Sequence, residues 1–195
     1  MICKALEGYV RTTHGDGIWD QACRDAGIKT RSFETVHEYP DEKFDRVLMS
    51  VAGTLGRRIA VLMEDMGMWV VTHPPLAPVR RLFRFSGETF SAFMVSLDEI
   101  NDRAQMALPG LELPIYRVRS DEPGAYVVRS TWVSEGGGPL LCGVLQALAD
   151  EYGALVLLEV LSSQRIDGIW HDETQVQVVQ EDFQAPSSFQ LGQVT

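Results

Sequence analysis

The sequence predicts an α+β fold: an N-terminal helical part followed by an antiparallel sheet with one packed helix. Three observations carry this. Apolar residues recur at helical spacing in one stretch after another up to Pro109, the period falls to two beyond it, and a single further helical stretch separates the strand-like segments.

Leu6, Tyr9 and Val10 form the first apolar stripe, which the Thr12-Thr13-His14-Gly15-Asp16-Gly17 cluster stops. A second short helix carries Ile18, Trp19, Ala22, Cys23 and Ala26 on its buried side, with Gly27 suited to its C-terminus. Residues 30–40 read as a connection. Asp41 caps a third helix on Phe44, Val47, Leu48, Val51 and Leu55, closed by Gly56. A fourth, from about Arg58 through Val71, rests on Ile59, Leu62, Met63 and Met66. His73 falls at its end, and Pro74-Pro75 stop it. A basic connection with Arg80, Arg81 and Arg84 then leads to the stretch that organises the rest.

That stretch runs from Phe85 to Pro109, with Phe90, Phe93, Met94, Leu97, Ile100, Ala104 and Leu108 on one helical face. Ser86, with Glu88 and Thr89 close behind, supplies N-cap chemistry, and Pro109-Gly110 ends the helix. Asn101 breaks the pattern. It points into the apolar face, where an amide without a partner costs on the order of 1–3 kcal/mol. It is therefore satisfied locally or faces something other than packed carbon.

After Pro109, residues 113–118 and 125–131 read as strands joined by the turn-rich Ser120-Asp121-Glu122-Pro123-Gly124. Gly136-Gly137-Gly138-Pro139 leads into a helix on Leu141, Val144, Leu145, Leu148 and Tyr152, ended by Gly153. Residues 155–161 and 174–179 complete the sheet. One domain over 1–184 is expected, followed by a Ser-, Gln- and Gly-rich tail, 185–195, that frays.

The formal charge of -10, with 27 acidic against 17 basic side chains, argues against a nucleic-acid partner, which needs clustered Lys and Arg. No apolar run approaches the roughly 20 residues that span a bilayer, and no secretory pattern opens the chain, so a cytoplasmic protein without a membrane partner is expected. Cys3, Cys23 and Cys142 are odd in number and far apart, which indicates neither a disulfide framework nor a structural zinc site.

Leu97-Asp98-Glu99-Ile100-Asn101, followed by Leu108-Pro109-Gly110 and Pro114, resembles the stretch around the iron ligand of the heme-nitric oxide/oxygen binding (H-NOX) family. The resemblance extends over most of the chain, including Tyr39-Pro40-Asp41-Glu42. In that family the motif reads Leu-Asp-x-Ile-His, and the histidine is the proximal heme ligand. Here Asn101 stands in its place. A Tyr-x-Ser-x-Arg motif binds the heme propionates in relatives, and counting onward from Asn101 puts it on Ser130, Trp132 and Ser134, where none of its letters is kept. Pro114, which in relatives presses on the porphyrin, is retained. The resemblance thus implies an H-NOX-like fold, heme as cofactor, Asn101, Pro114, Ser130, Trp132 and Ser134 as the cofactor-binding positions, and a histidine kinase or cyclic-di-nucleotide enzyme as partner. It implies a stand-alone regulatory domain of the gas-sensor type whose heme ligation is degenerate. The alternatives are a heme-independent module for another apolar ligand, or a protein-interaction domain whose cavity is filled.

Asparagine is a poor iron ligand, and serine cannot replace the bidentate fork of arginine opposite a carboxylate. Cys142, His14, His37, His73 and His171 are the other ligand candidates. Each reads more simply as a buried thiol or an exposed loop or helix-end histidine. Gly136-Gly137-Gly138 lacks the Gly-Lys-Ser/Thr ending of a phosphate loop and reads as a flexible turn. The carboxylate pairs Glu64-Asp65, Asp98-Glu99 and Asp172-Glu173 read as solvated surface, and the Met63, Met66 and Met68 group as core filler. Nothing assembles a nucleophile, base and orienting group, so no enzyme is expected.

Overall fold

The computed structural model describes residues 2–29, 32–34, 39–73, 87–102 and 114–181. Four helices open the chain: α1 (Ile2–His14), α2 (Asp16–Asp25), α3 (Asp41–Leu55) and α4 (Ile59–Thr72). Their apolar stripes converge on one core containing Leu6, Val10, Trp19, Phe44, Leu48 and Met63. Gly56 closes α3 in the left-handed conformation, φ 63°, with its N–H and that of Arg57 returning to the Gly53 and Ala52 carbonyls. One carboxylate is buried among these helices. Glu7 accepts from Lys4 Nζ at 3.2 Å, from Arg11 Nε at 3.1 Å and from the Phe33 backbone N–H at 2.7 Å, which ties the segment after α2 to α1.

The organising helix begins later than expected and is interrupted within the described residues. Its first α-helical part is α5 (Phe90–Ser96), capped by Thr89, whose Oγ1 accepts from the Ala92 N–H at 3.1 Å, and residues 100–102 are α-helical again. The chain then tightens into a 3-10 turn over Leu97–Glu99. Ser96 Oγ donates to the Phe93 carbonyl, and Asp98 is drawn sideways to a neighbouring strand, so local side-chain bonds compete with the regular ladder. Ser86, the expected stop at Pro109-Gly110, Arg80, Arg81, Arg84, His37 and the tail from Ala185 lie outside the described residues.

The remainder is β1 (Ile115–Glu122), β2 (Ala125–Trp132), α6 (Gly137–Tyr152), β3 (Leu155–Ile166) and β4 (Ile169–Gln180), in a four-stranded antiparallel sheet of order β1-β2-β4-β3. β3 and β4 run well past the expected residues 155–161 and 174–179. Asp167-Gly168 explains the extension: both have positive φ, 50° and 87°, as a two-residue hairpin turn requires, so polar residues on either side stay paired. The inner face of the sheet, α5 and α6 enclose a second core with Phe93, Met94, Ile100, Val128, Leu145 and Val176.

The two cores meet where α4 crosses α6. A Cβ at Gly67 would lie 2.2 Å from the Leu140 carbonyl oxygen, and one at Gly143 would lie 1.9 Å from that of Glu64. The helices touch through their backbones there, which only glycine permits. The expected α+β class, helical part first and then sheet with one packed helix, is the observed one.

Candidate functional site

Asn101 follows the 3-10 turn and is half-buried. Its Nδ2 donates to the Pro114 carbonyl at 2.8 Å, and three residues earlier Asp98 Oδ1 accepts the Val118 N–H at 2.6 Å. The stretch 98–101 is thus fastened twice, to β1, an edge strand whose free backbone groups need covering, and to the residue just before it. The polar residue on the apolar face is satisfied locally. Asp98 accordingly is no idle surface carboxylate.

Ser130 and Trp132 both point to the inner face of β2, and Ser134 is buried in the turn that follows. Directly opposite Ser130 on β4 is Asp172, only 2% exposed, and Thr174 lies on the same face two residues on. The sequence reading missed both. The available signal was the strand period: Asp172 and Glu173 are neighbours on a strand, so one must face inward, while Glu173 faces out and accepts from Arg129 Nε at 2.7 Å.

The glycine run explains how α6 comes to rest on this face. Gly136 takes φ 94° and offers no side-chain cap. Asp172 supplies one from the neighbouring strand, Oδ2 accepting the Gly138 N–H at 2.8 Å, a placement that the positive end of the helix favours. A Cβ at Gly137 would stand 2.0 Å from the Trp132 indole, and one at Gly138 would stand 3.2 Å from Asp172 Cβ. The run is a site of close approach, where the sequence suggested a flexible turn. Yet Ser130 Oγ, Trp132 Nε1, Asp172 Oδ1 and Thr174 Oγ1 are buried with no hydrogen-bond partner among the described residues. Each such group costs roughly 1–3 kcal/mol if nothing meets it.

These residues do not fit a heme held in the family manner. The amide at 101 is engaged with Pro114, and none of the buried polar residues among those described is cationic. The other ligand candidates among the described residues are spread over the molecule. Burial pushes the Cys142 thiol up to about 12, reinforced by the negative charges of Glu64 and Asp172, which disfavours the thiolate a metal needs. His14 Nε2 lies 3.4 Å from the Tyr9 hydroxyl, and His73 stacks on Trp69 with ring centroids 4.2 Å apart. His171 lines an open groove of about 530 Å³ on the opposite, solvent-facing side of the sheet, with Arg117 and Arg129. His37 lies outside the described residues. No group of three His, Cys, Asp or Glu among the described residues is placed to hold a metal ion.

The architecture is that of an H-NOX domain. A solved oxygen-binding H-NOX domain related to soluble guanylate cyclases, in its oxygen complex, superposes with a TM-score of 0.66 at 13% identity, covering 95% of this chain and 97% of that one. A variant of the T. tengcongensis H-NOX gives a TM-score of 0.72 at 13% identity, covering 91% and 96%. The Haem-NO-binding family model matches residues 1–160, and the chain belongs to that family. Among curated proteins it is similar to soluble guanylate cyclases 89Da and 89Db of Drosophila melanogaster, 23% identical over 165 residues and 24% over 166. Each match covers 84% of this chain and 25% of the relative, so the chain spans about a quarter of their length.

Proposed function

We propose that this chain is a regulatory domain of the gas-sensor type in which the proximal iron bond has been replaced by the hydrogen bond from Asn101 to Pro114. That bond carries the reading. A residue committed to holding the helical turn after the 3-10 segment against the entry to β1 is a strut, and its carbonyl is in any case a weak iron donor beside neutral imidazole. The polar end agrees. At Ser130, Trp132 and Ser134 the propionate-binding cation is missing.

In this reading that helical turn cannot be released from a metal, because its tether is a bond within the protein. Relative movement of the helical part and the sheet would be transmitted through the backbone contact of α4 and α6 at Gly67 and Gly143. The domain itself performs no chemistry. Its output passes to an effector, for which a histidine kinase or a cyclic-di-nucleotide enzyme is the family expectation, in the cytoplasm. No helix among the described residues is long and apolar enough to cross a membrane.

A second reading, a module for a different ligand, is favoured by the four unpartnered polar atoms around Asp172. A filled cavity is favoured by Trp132, which packs against the core of the helical part. The deciding measurement is the absorption spectrum of the purified protein, alone and with hemin under reducing conditions. We expect no histidine-ligated Fe(II) band, and a stable complex with such a band would overturn the proposal.

A further inference from the structure

Five side-chain atoms among the described residues are buried without a partner, and four of them, on Ser130, Trp132, Asp172 and Thr174, share the inner face of β2 and β4 beside the first turn of α6. Ser130 and Asp172 are 2% exposed and Thr174 is fully buried. Their bonding needs define a complement. Asp172 has one oxygen committed to the Gly138 N–H, while Oδ1 still takes a donor. The Ser130 and Thr174 hydroxyls give and accept, and the indole N–H only gives. A carboxylate brought here would meet a like charge with no buried cation among the described residues to offset it. A primary amide, a hydroxyl or an ammonium would meet Asp172 Oδ1 with a charge-assisted hydrogen bond.

We propose that this cluster is the polar end of a ligand site that takes an uncharged or cationic hydrogen-bond-donating group and turns carboxylates away. The inference rests on the reading that the domain no longer holds heme in the family manner, and it deepens that reading: the barrier to a propionate-bearing porphyrin lies at Asp172 as well as at Asn101.

Iron-free porphyrins separate the two barriers. The full chain is titrated with protoporphyrin IX, which carries two carboxylic acids, and with the same ring bearing two primary amides, by quenching of tryptophan fluorescence. We expect the diamide to bind at least about tenfold more tightly, the weight of one charge-assisted hydrogen bond. Asp172→Asn should remove the difference. Thr174→Val and Ser130→Ala should each weaken the diamide and leave the diacid unchanged, and they keep the test open should the Asp172 variant fail to fold. Equal or tighter binding of the diacid, a preference that survives all three substitutions, or binding of neither porphyrin would overturn the inference. Binding of neither, beside a hemin spectrum without histidine bands, would sink this inference alone and leave the ligation reading standing.

Discussion

Among the described residues two carboxylates are buried to nearly the same depth, Glu7 at 3% and Asp172 at 2% exposed, and their surroundings are opposite. Glu7, in the helical part, meets two cations and a backbone N–H, so both its oxygens are occupied. Asp172, under the sheet-bound helix, meets one N–H and keeps an oxygen idle beside two idle hydroxyls. Burying a charge is costly in both places, but only at Glu7 do the described residues offset it. A saturated buried charge is a structural joint, whereas the cluster at Asp172 is left with open bonds among the described residues.

The contrast is broken most severely at the seam between the two regions. Gly143→Ala puts a methyl 1.9 Å from the Glu64 carbonyl oxygen, and since backbone faces it, the helices must part. We expect a loss of about 3 kcal/mol in urea denaturation, felt by both cores. Glu7→Gln comes next. An amide has one acceptor oxygen where the carboxylate serves three donors, so roughly 2 kcal/mol should be lost. Asp172→Asn sharpens the comparison by its sign. The amide keeps an oxygen for the Gly138 N–H and places donors near Ser130 and Thr174, so the change should be neutral within about 0.5 kcal/mol or stabilising. A loss as large as that of Glu7→Gln would show that Asp172 is a joint of the same kind.

The one effect that is nil at neutral pH is a pH slope. The Cys142 thiol is raised from 9.0 to about 12 by burial, so at neutral pH it is protonated folded and unfolded alike and contributes nothing to the pH dependence. Above pH 9 the unfolded thiol ionises while the folded one does not, so stability falls as pH rises from 9 toward 12. The slope approaches about 1.4 kcal/mol per unit for this one proton. Cys142→Ala should flatten denaturation free energy against pH in that window by this amount. Tyr9, also raised to about 12, should leave a residual slope above pH 10.

The sequence by itself determined most of the fold, because helical and strand periods are local properties that burial enforces along one face. The four opening helices, the first hairpin and α6 were legible that way, whereas β3 and β4 were read only in part because the Asp167-Gly168 turn that joins them was passed over. The site was legible only in part. Asn101 announced itself as a polar residue on an apolar face. Its actual partner could not be read, because Pro114 lies 13 residues away and the bond depends on how the turn after the 3-10 segment meets the entry to β1. Asp172 and Thr174 came to Ser130 and Trp132 by strand pairing, and Asp172 came to Gly138 by packing of α6 on the sheet, contacts that span 34 residues or more. Long-range register decides which polar groups share a buried face, and whether their bonds are filled depends on geometry that no local period encodes.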